Sequence, residues 1–135
     1  MKDAGLAIAE AAQELIGAKF RLHGRDPATG LDCVGVVAAS LSKVGAKPAL
    51  PMGYSLRNVS IDHFIPFATA NGLAPAYAPE KPGDILLLRT GPAQLHLVIS
   101  LGSSEFVHAD AGLRQVTRLS APMEWEILKH WRYQN

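Results

Sequence analysis

The sequence predicts a single α+β domain, residues 1–135, in which N-terminal helices pack on a C-terminal antiparallel β-sheet. The chain has 135 residues and is 48% apolar, which suits one folded domain with a sizeable core. Apolar residues recur at helical spacing up to about residue 45, and they alternate in a strand-like way after Pro82-Gly83. Helices followed by strands are the order typical of α+β proteins.

Charge and cysteine content exclude several classes of function. Lys and Arg number 13 against 12 Asp and Glu, and no basic stripe is present, which argues against a nucleic-acid partner. A single cysteine permits neither an internal disulfide nor a thiolate-rich zinc site. Glu10 and Glu14 interrupt the first apolar pattern, so we expect no signal peptide, no membrane insertion and synthesis in the cytoplasm as a soluble protein.

Each predicted element follows from local patterning. Helices are predicted over residues 4–16, 33–45 and 60–71, the last interrupted near Pro66. The segment 18–30 is punctuated by glycine and proline and is predicted to be a loop. Its Arg21, His23 and Arg25 are either a substrate rim or solvated loop charges. Strands are predicted over residues 84–89, 95–101, 105–110, 115–119 and 124–133.

The stretch Gly30–Gly35 places the single cysteine where a glycine-rich loop meets a helix. Apolar residues follow Cys33 at helical spacings, so its side chain lies on the inward face of the first turn. Asp32 is a good N-cap residue. The positive end of the helix dipole would favour the thiolate of Cys33. The alternative is that Cys33 is a small buried hydrophobe, the commonest role of a lone cysteine.

Two histidines fall on neighbouring predicted strands. If the turn between them is the three residues Gly102–Ser104, Leu101 lies opposite Glu105, and His96 and His108 become diagonal neighbours on one face. A turn of two or four residues would place them on opposite faces. The prediction of an imidazole pair therefore depends on the register of this hairpin.

A thiol followed by two imidazoles suggests nucleophilic catalysis. Cys33 would attack a carbonyl carbon, His96 would act as general base and acid, and His108 would orient His96. Backbone N–H groups at the start of the helix could bind the oxyanion. The competing interpretation is a zinc site with Asp110 as third ligand, which the context of Cys33 makes weaker.

Four motifs together resemble the NlpC/p60 family of papain-like cysteine peptidases, which cut peptide bonds in bacterial peptidoglycan. They are Gly-Leu-Asp-Cys-Val-Gly at 30–35, Pro-Gly-Asp at 82–84, His-Leu-Val-Ile-Ser-Leu-Gly at 96–102 and Phe-Val-His-Ala at 106–109. The resemblance implies a papain-like fold, peptidoglycan stem peptides as substrate, a Cys33–His96–His108 triad and no metal or cofactor.

The loop 20–25 and the Trp-rich final strand are similar to those of the phage-tail and gene-transfer-agent members. This resemblance implies tail proteins as partners and a tail particle as the route to the cell wall.

Two departures from the family pattern concern substrate contacts. Val34 stands where many members have a serine, so one hydroxyl contact is lost. Phe20 or Arg21 stands where many have a tyrosine, which leaves Arg21 or a backbone N–H to complete the oxyanion site. Arg21 and Val34 are therefore candidate substrate-binding residues. Asp32 is a third, because the residue that caps the helix also lies where it can shape the substrate pocket.

Two rival functions remain open at this point. An inactive structural tail protein with the same fold would have an unreactive Cys33. A related thiol acyltransferase would call for an apolar anchor or patch that faces a membrane, and the sequence displays no such anchor.

Overall fold

The computed structural model describes residues 3–45, 64–91, 94–120 and 125–134. Within these ranges the helices are α1 (Ala4–Glu14), α2 (Cys33–Ser42) and α3 (Phe64–Ala70). The strands are β1 (Arg25–Asp26), β2 (Gly30–Leu31), β3 (Leu73–Pro75), β4 (Ile85–Gly91), β5 (Gln94–Gly102), β6 (Glu105–Asp110), β7 (Gln115–Ser120) and β8 (Glu126–Tyr133). None of the helices in these ranges has the length and apolar character needed to cross a membrane.

The sheet confirms the predicted α+β class. Six strands pair antiparallel in the order β3-β8-β4-β5-β6-β7, and β1 pairs with β2 in a separate small ribbon. The five strands predicted from alternation are present as β4 to β8, with ends shifted by one or two residues. β3 was not predicted because it ends in Pro75. It lies at the sheet edge, where the missing N–H of proline is tolerated.

The helices also lie close to their predicted positions. Asp3 caps α1 by accepting a hydrogen bond from the N–H of Leu6. The described helix α3 runs through Pro66 from Phe64 to Ala70, so the interruption predicted near Pro66 is not present in these residues. The predicted residues 60–63 of that helix lie outside the described residues.

The main core lies between α1, α2 and one face of the sheet. Side chains with at most 1% exposure fill it, among them Ile8, Leu41, Leu87, Leu97 and Ile99. The opposite face carries a smaller cluster, which consists of Leu86, Leu88, Val98 and Phe106 with Leu119 and Trp125 against it. Alternation along β4 and β5 therefore buries both faces of the sheet centre.

The β5–β6 hairpin reaches the predicted register by a different route. Its turn has two residues, Ser103 and Ser104, both at positive φ (53° and 62°), rather than three. A bulge between Ser100 and Gly102 adds one residue to β5 and restores the offset that the shorter turn removes. Beyond the bulge, Ile99 lies opposite the residue expected from the three-residue turn, Val107. His96 and His108 consequently share a face.

A second bulge changes the pattern of β8. Leu87 lies opposite Lys129 and Leu88 opposite Ile127, so the residue between, Leu128, is the extra one. The simple alternation expected from Trp125 to Tyr133 is therefore wrong at this point. Ile127 is 52% exposed, although it lies at an even spacing from the buried Trp131.

A buried carboxylate joins the start of β4 to β8. Asp84 accepts two hydrogen bonds from the Arg132 guanidinium, both at 2.8 Å, one from His130 at 2.7 Å and one from the N–H of Lys81 at 2.9 Å. Burial raises the pKa of Asp84, but these donors outweigh it and the net pKa lies below the ordinary value. The Asp of the Pro-Gly-Asp motif is thus a structural residue.

Candidate active site

The start of α2 is fixed by Asp32, which the structure buries completely. Its Oδ1 accepts hydrogen bonds from the N–H of Gly35 at 2.9 Å and from Arg25 Nη1 at 3.0 Å. Its Oδ2 accepts one from the N–H of His23 at 2.8 Å. Asp32 therefore caps the helix as predicted and also ties the preceding loop to it. This arrangement fixes the position of Cys33, the first residue of α2.

Close backbone packing explains the glycine two residues after the cysteine. A Cβ on Gly35 would fall on the carbonyl oxygen of Gly24 and press on Leu31. The loop can approach the first turn of α2 only because Gly35 has no side chain.

The two histidines form a directly bonded pair. His96 Nε2 and His108 Nδ1 are 2.8 Å apart, and the ring planes are inclined at 77° with centroids 5.1 Å apart. One nitrogen donates and the other accepts, according to the tautomers. Because this bond occupies Nε2 of His96, its Nδ1 is the ring atom left for chemistry with another group.

The end of the β5–β6 ladder opens the site. The two strands pair from Gly102 opposite Glu105 to Ile99 opposite Val107, and the pairing stops there. The next residues toward the start of β5 are therefore released from β6.

Backbone groups of Leu97 and Val34 make hydrogen bonds to the sulfur of Cys33 that favour its thiolate.

A cavity of about 260 Å³ lies where the strands separate. Cys33, His96 and His108 all line it, so the three predicted catalytic residues meet at one place. The other lining residues are Phe20, Thr90, Gln94, Leu95, Ala109, Asp110, Ala111, Gly112 and Trp125.

Burial controls the protonation of these groups. Loss of solvation, with a smaller contribution from the nearby Asp32 carboxylate, raises the pKa of the Cys33 thiol to about 12. Burial, and secondarily His108, lowers the pKa of His96 to about 3, while the Asp110 carboxylate opposes that shift. Burial also lowers the pKa of His108. At neutral pH the thiol and both imidazoles are therefore neutral.

This protonation state corrects the expectation of a stabilised thiolate. The position of Cys33 at a helix N-terminus is as predicted, but the thiol is only 2% exposed. The cost of burying a charge exceeds what the N–H groups at the helix start contribute. Within the described residues, the hydrogen bond of His96 goes to His108 rather than to the thiol.

The predicted substrate-binding residues do not line the cavity. Val34 is completely buried in the core, so its side chain has no access to a substrate. The carboxylate of Asp32 is engaged by the helix start and the loop, which makes its role structural. Arg21 is exposed, and its neighbour Phe20 contributes a side chain to the cavity instead.

Sequence reasoning missed several lining residues. The ring of Trp125 stands edge-on to His96, with centroids 6.4 Å apart. The sequence placed it in the alternating pattern of the predicted final strand, 124–133, which did not indicate a role in the site. Gln94 and Thr90 flank the β4–β5 connection, and no local pattern marked them. Asp110 was considered only as a zinc ligand. Within the described parts of the chain, no three His, Cys, Asp or Glu side chains are grouped so that they could hold a metal ion.

Comparison with solved structures identifies the fold. NlpC2 from Trichomonas vaginalis superposes with a TM-score of 0.70 at 17% identity, over 98% of this chain and 49% of that one. This is the NlpC/p60 fold. The NlpC/p60 domain of the peptidoglycan hydrolase SagA superposes with a TM-score of 0.62 at 22% identity, over 91% and 95% of the two chains. The peptidoglycan hydrolase RipB from Mycobacterium tuberculosis superposes with a TM-score of 0.65 at 19% identity, over 96% of this chain and 64% of that one.

The chain spans about half the length of the T. vaginalis proteins, 49% of NlpC2 and 46% of NlpC1. No protein-family model and no curated protein sequence matches it. The likeness to NlpC/p60 structures is thus one of fold.

Proposed function

We propose that this protein is a cysteine peptidase that hydrolyses amide bonds in peptidoglycan stem peptides. The observation that carries the proposal is the convergence of Cys33, His96 and His108 on one cavity, with the two imidazoles hydrogen-bonded at 2.8 Å. The substrate class is supported by the fold, because SagA and RipB, which share it, are peptidoglycan hydrolases.

The neutral resting state dictates how the first step proceeds. A thiol with a pKa of about 12 beside an imidazole with a pKa of about 3 does not ionise on its own. Proton transfer from Cys33 to His96 therefore accompanies attack of the sulfur on the carbonyl carbon. Negative charge then develops on the carbonyl oxygen, near the N–H groups at the start of α2, rather than accumulating on the buried sulfur.

The remaining steps regenerate the enzyme. His96 gives its proton to the leaving amine as the C–N bond breaks, and a thioester to Cys33 remains. Water, deprotonated by His96, attacks the thioester, releases the carboxylic acid and returns the proton to the thiol. His108 holds the ring of His96 throughout and is a positioning residue. No step in this scheme calls for a cofactor.

One rival is favoured by a specific observation. The nearly complete burial of Cys33 is also what an inactive structural protein with this fold would have. An assay of hydrolysis distinguishes the peptidase from the inactive structural protein. Purified protein would be incubated with stem peptides, and the products identified by chromatography and mass spectrometry. Cys33→Ala and His96→Gln serve as variants, each shown to be folded by thermal unfolding.

We expect the wild type to release fragments and both variants to be inactive. Fragments that persist in Cys33→Ala would assign the activity to another group, and a wild type that cleaves no stem peptide would favour the structural protein. Transfer of an acyl group from an added lipid, with no hydrolysis of stem peptides, would favour the acyltransferase.

We further propose that the protein is made in the cytoplasm and reaches the cell wall on a phage-like tail particle. The support is the resemblance of the loop 20–25 and the Trp-rich final strand to tail-associated members. Mass spectrometry of purified particles from the source cells should detect the chain together with tail proteins. Its absence from intact particles would contradict this assignment.

A further inference from the structure

We propose that Asp110 makes the cavity selective for peptides that carry an ammonium group close to the scissile carbonyl. The inference deepens the proposed function and rests on it for the identity of the reaction. Asp110 is assigned a role in specificity, by direct attraction of a cationic substrate group.

The first support is the charge of the cavity wall. Of the described residues that line it, Asp110 is the single one with a side chain charged at neutral pH. The sulfur and the two imidazoles are neutral there, because burial shifts the pKa of the thiol and of both histidines away from ionisation. The lining described therefore carries one uncompensated negative charge.

The second support is the geometry of the carboxylate. Oδ1 of Asp110 accepts hydrogen bonds from the N–H of Gly112 at 2.9 Å and of Leu113 at 3.1 Å, which fixes the side chain. Oδ2 has no hydrogen bond to any described residue. A carboxylate with one oxygen fixed and the other available is suited to an ammonium group.

The third support is that the field of Asp110 reaches the reacting groups. Its charge acts on both His96 and His108, in each case toward a higher pKa. Asp110 also lines the same cavity as Cys33, so a substrate ammonium near Asp110 would occupy the cavity in which the scissile bond must lie. Asp110 is half-buried, and attraction between opposite charges at a half-buried site is stronger than in bulk water.

Two other roles for Asp110 make different predictions. If it only shapes the turn after β6, Asp110→Asn should change nothing, because the amide oxygen of asparagine accepts the same two N–H bonds. If it only tunes the imidazole pair, the substitution should alter the reactivity of Cys33 equally toward reagents of any charge.

The test uses the single cysteine as a reporter of the field. Cys33 would be treated separately with 2-aminoethyl methanethiosulfonate, which is cationic, and 2-sulfonatoethyl methanethiosulfonate, which is anionic. In each case the thiolate attacks the sulfenyl sulfur, a mixed disulfide forms and methanesulfinate leaves, with the thiol proton going to solvent. Uncharged methyl methanethiosulfonate corrects for access, and intact-protein mass spectrometry gives the rates.

We expect Asp110→Asn to lower the cation-to-anion rate ratio at least about fivefold, the scale of one unit charge a few ångströms away in a partly hydrated site. Glu105→Gln is the matched control. It changes the net charge equally, lies at the other end of β6 and keeps its hydrogen bond from Ser120. An unchanged ratio, an equal change for all three reagents, or the same effect in Glu105→Gln would overturn the proposal.

Hydrolysis gives a second, separate readout. Stem peptides with a free amine near the cleaved bond would be compared with their N-acetylated forms. Asp110→Asn should raise KM for the free amine by a larger factor than KM for the acetylated peptide, so the preference for the amine should fall. A shift in the reagent ratio without any hydrolysis would support the charge selectivity and refute the peptidase. Hydrolysis with no preference for the free amine would support the peptidase and refute the charge selectivity.

Discussion

The acidity of Cys33 can be predicted quantitatively from its surroundings. The perturbation is pH, and the assay is the initial rate of alkylation by iodoacetamide, followed by intact-protein mass spectrometry. A pKa of about 12 leaves about one thiol in thirty thousand ionised at pH 7.5, against about one in ten for a free cysteine of pKa about 8.5. The native protein should therefore react about three orders of magnitude more slowly than the same chain unfolded in urea.

The pH dependence of the alkylation rate also tests the protonation state of Cys33. The rate should still be rising at pH 10, and His96→Ala should leave this rise in place, because an imidazole with a pKa of about 3 is neutral throughout. Rapid alkylation that persists below pH 7 and disappears in His96→Ala would indicate a preformed thiolate–imidazolium pair. That result would refute the neutral resting state.

Three further predictions concern other parts of the site and its support. Asp84→Asn should lower the free energy of unfolding at pH 7 by about 3 kcal/mol, measured by urea denaturation, because it removes the charge from a buried pair with Arg132. Since the pKa of Asp84 is lowered by folding, its stabilisation is present above the unfolded pKa and is lost as pH falls through the folded one. Gly35→Ala should destabilise the domain by several kcal/mol, about 3 or more, because its Cβ meets the Gly24 carbonyl, and the thermal midpoint measures this. His108→Ala should lower kcat on stem peptides about a hundredfold by releasing His96, and His108→Asn should recover part of that loss.

Each of these has a contrary outcome. An Asp84→Asn protein that remains less stable at pH 2 by the same amount would show that the effect is not ionic. A Gly35→Ala protein of wild-type stability would mean that the loop and α2 are not packed as described. Equal activity of the Ala and Asn variants at position 108 would remove the positioning role.

The imidazole pair shows how far the sequence could lead. Alternation placed His96 and His108 on one face, provided that the hairpin had an odd offset. The structure has the offset, but from a two-residue turn plus a bulge rather than from a three-residue turn. The hydrophobic pattern of both strands favours this register, because a slip by one residue would exchange the side chains of the main core with those of the smaller cluster on the opposite face. The length of the turn between β5 and β6 could not be predicted from this pattern.

The features of the site that could not be predicted from the sequence depend on packing between distant segments of the chain. The helix start predicted an acidic thiol at Cys33, yet its pKa is decided by burial, which local sequence does not encode. Trp125 approaches His96 from a segment almost thirty residues away, and no periodicity connects the two. Val34 matched a substrate-binding position of the family, but it faces the core in this fold.

The central claim is that Cys33 attacks a substrate carbonyl, and an acyl-enzyme is its most direct product. Wild-type protein would be mixed with a stem peptide, quenched in acid within seconds and weighed intact. The account predicts an adduct with the mass of the acyl portion, located on Cys33, removed by hydroxylamine and absent from Cys33→Ala. Hydrolysis of the peptide by Cys33→Ala at the wild-type rate, with no adduct in either protein, would contradict it.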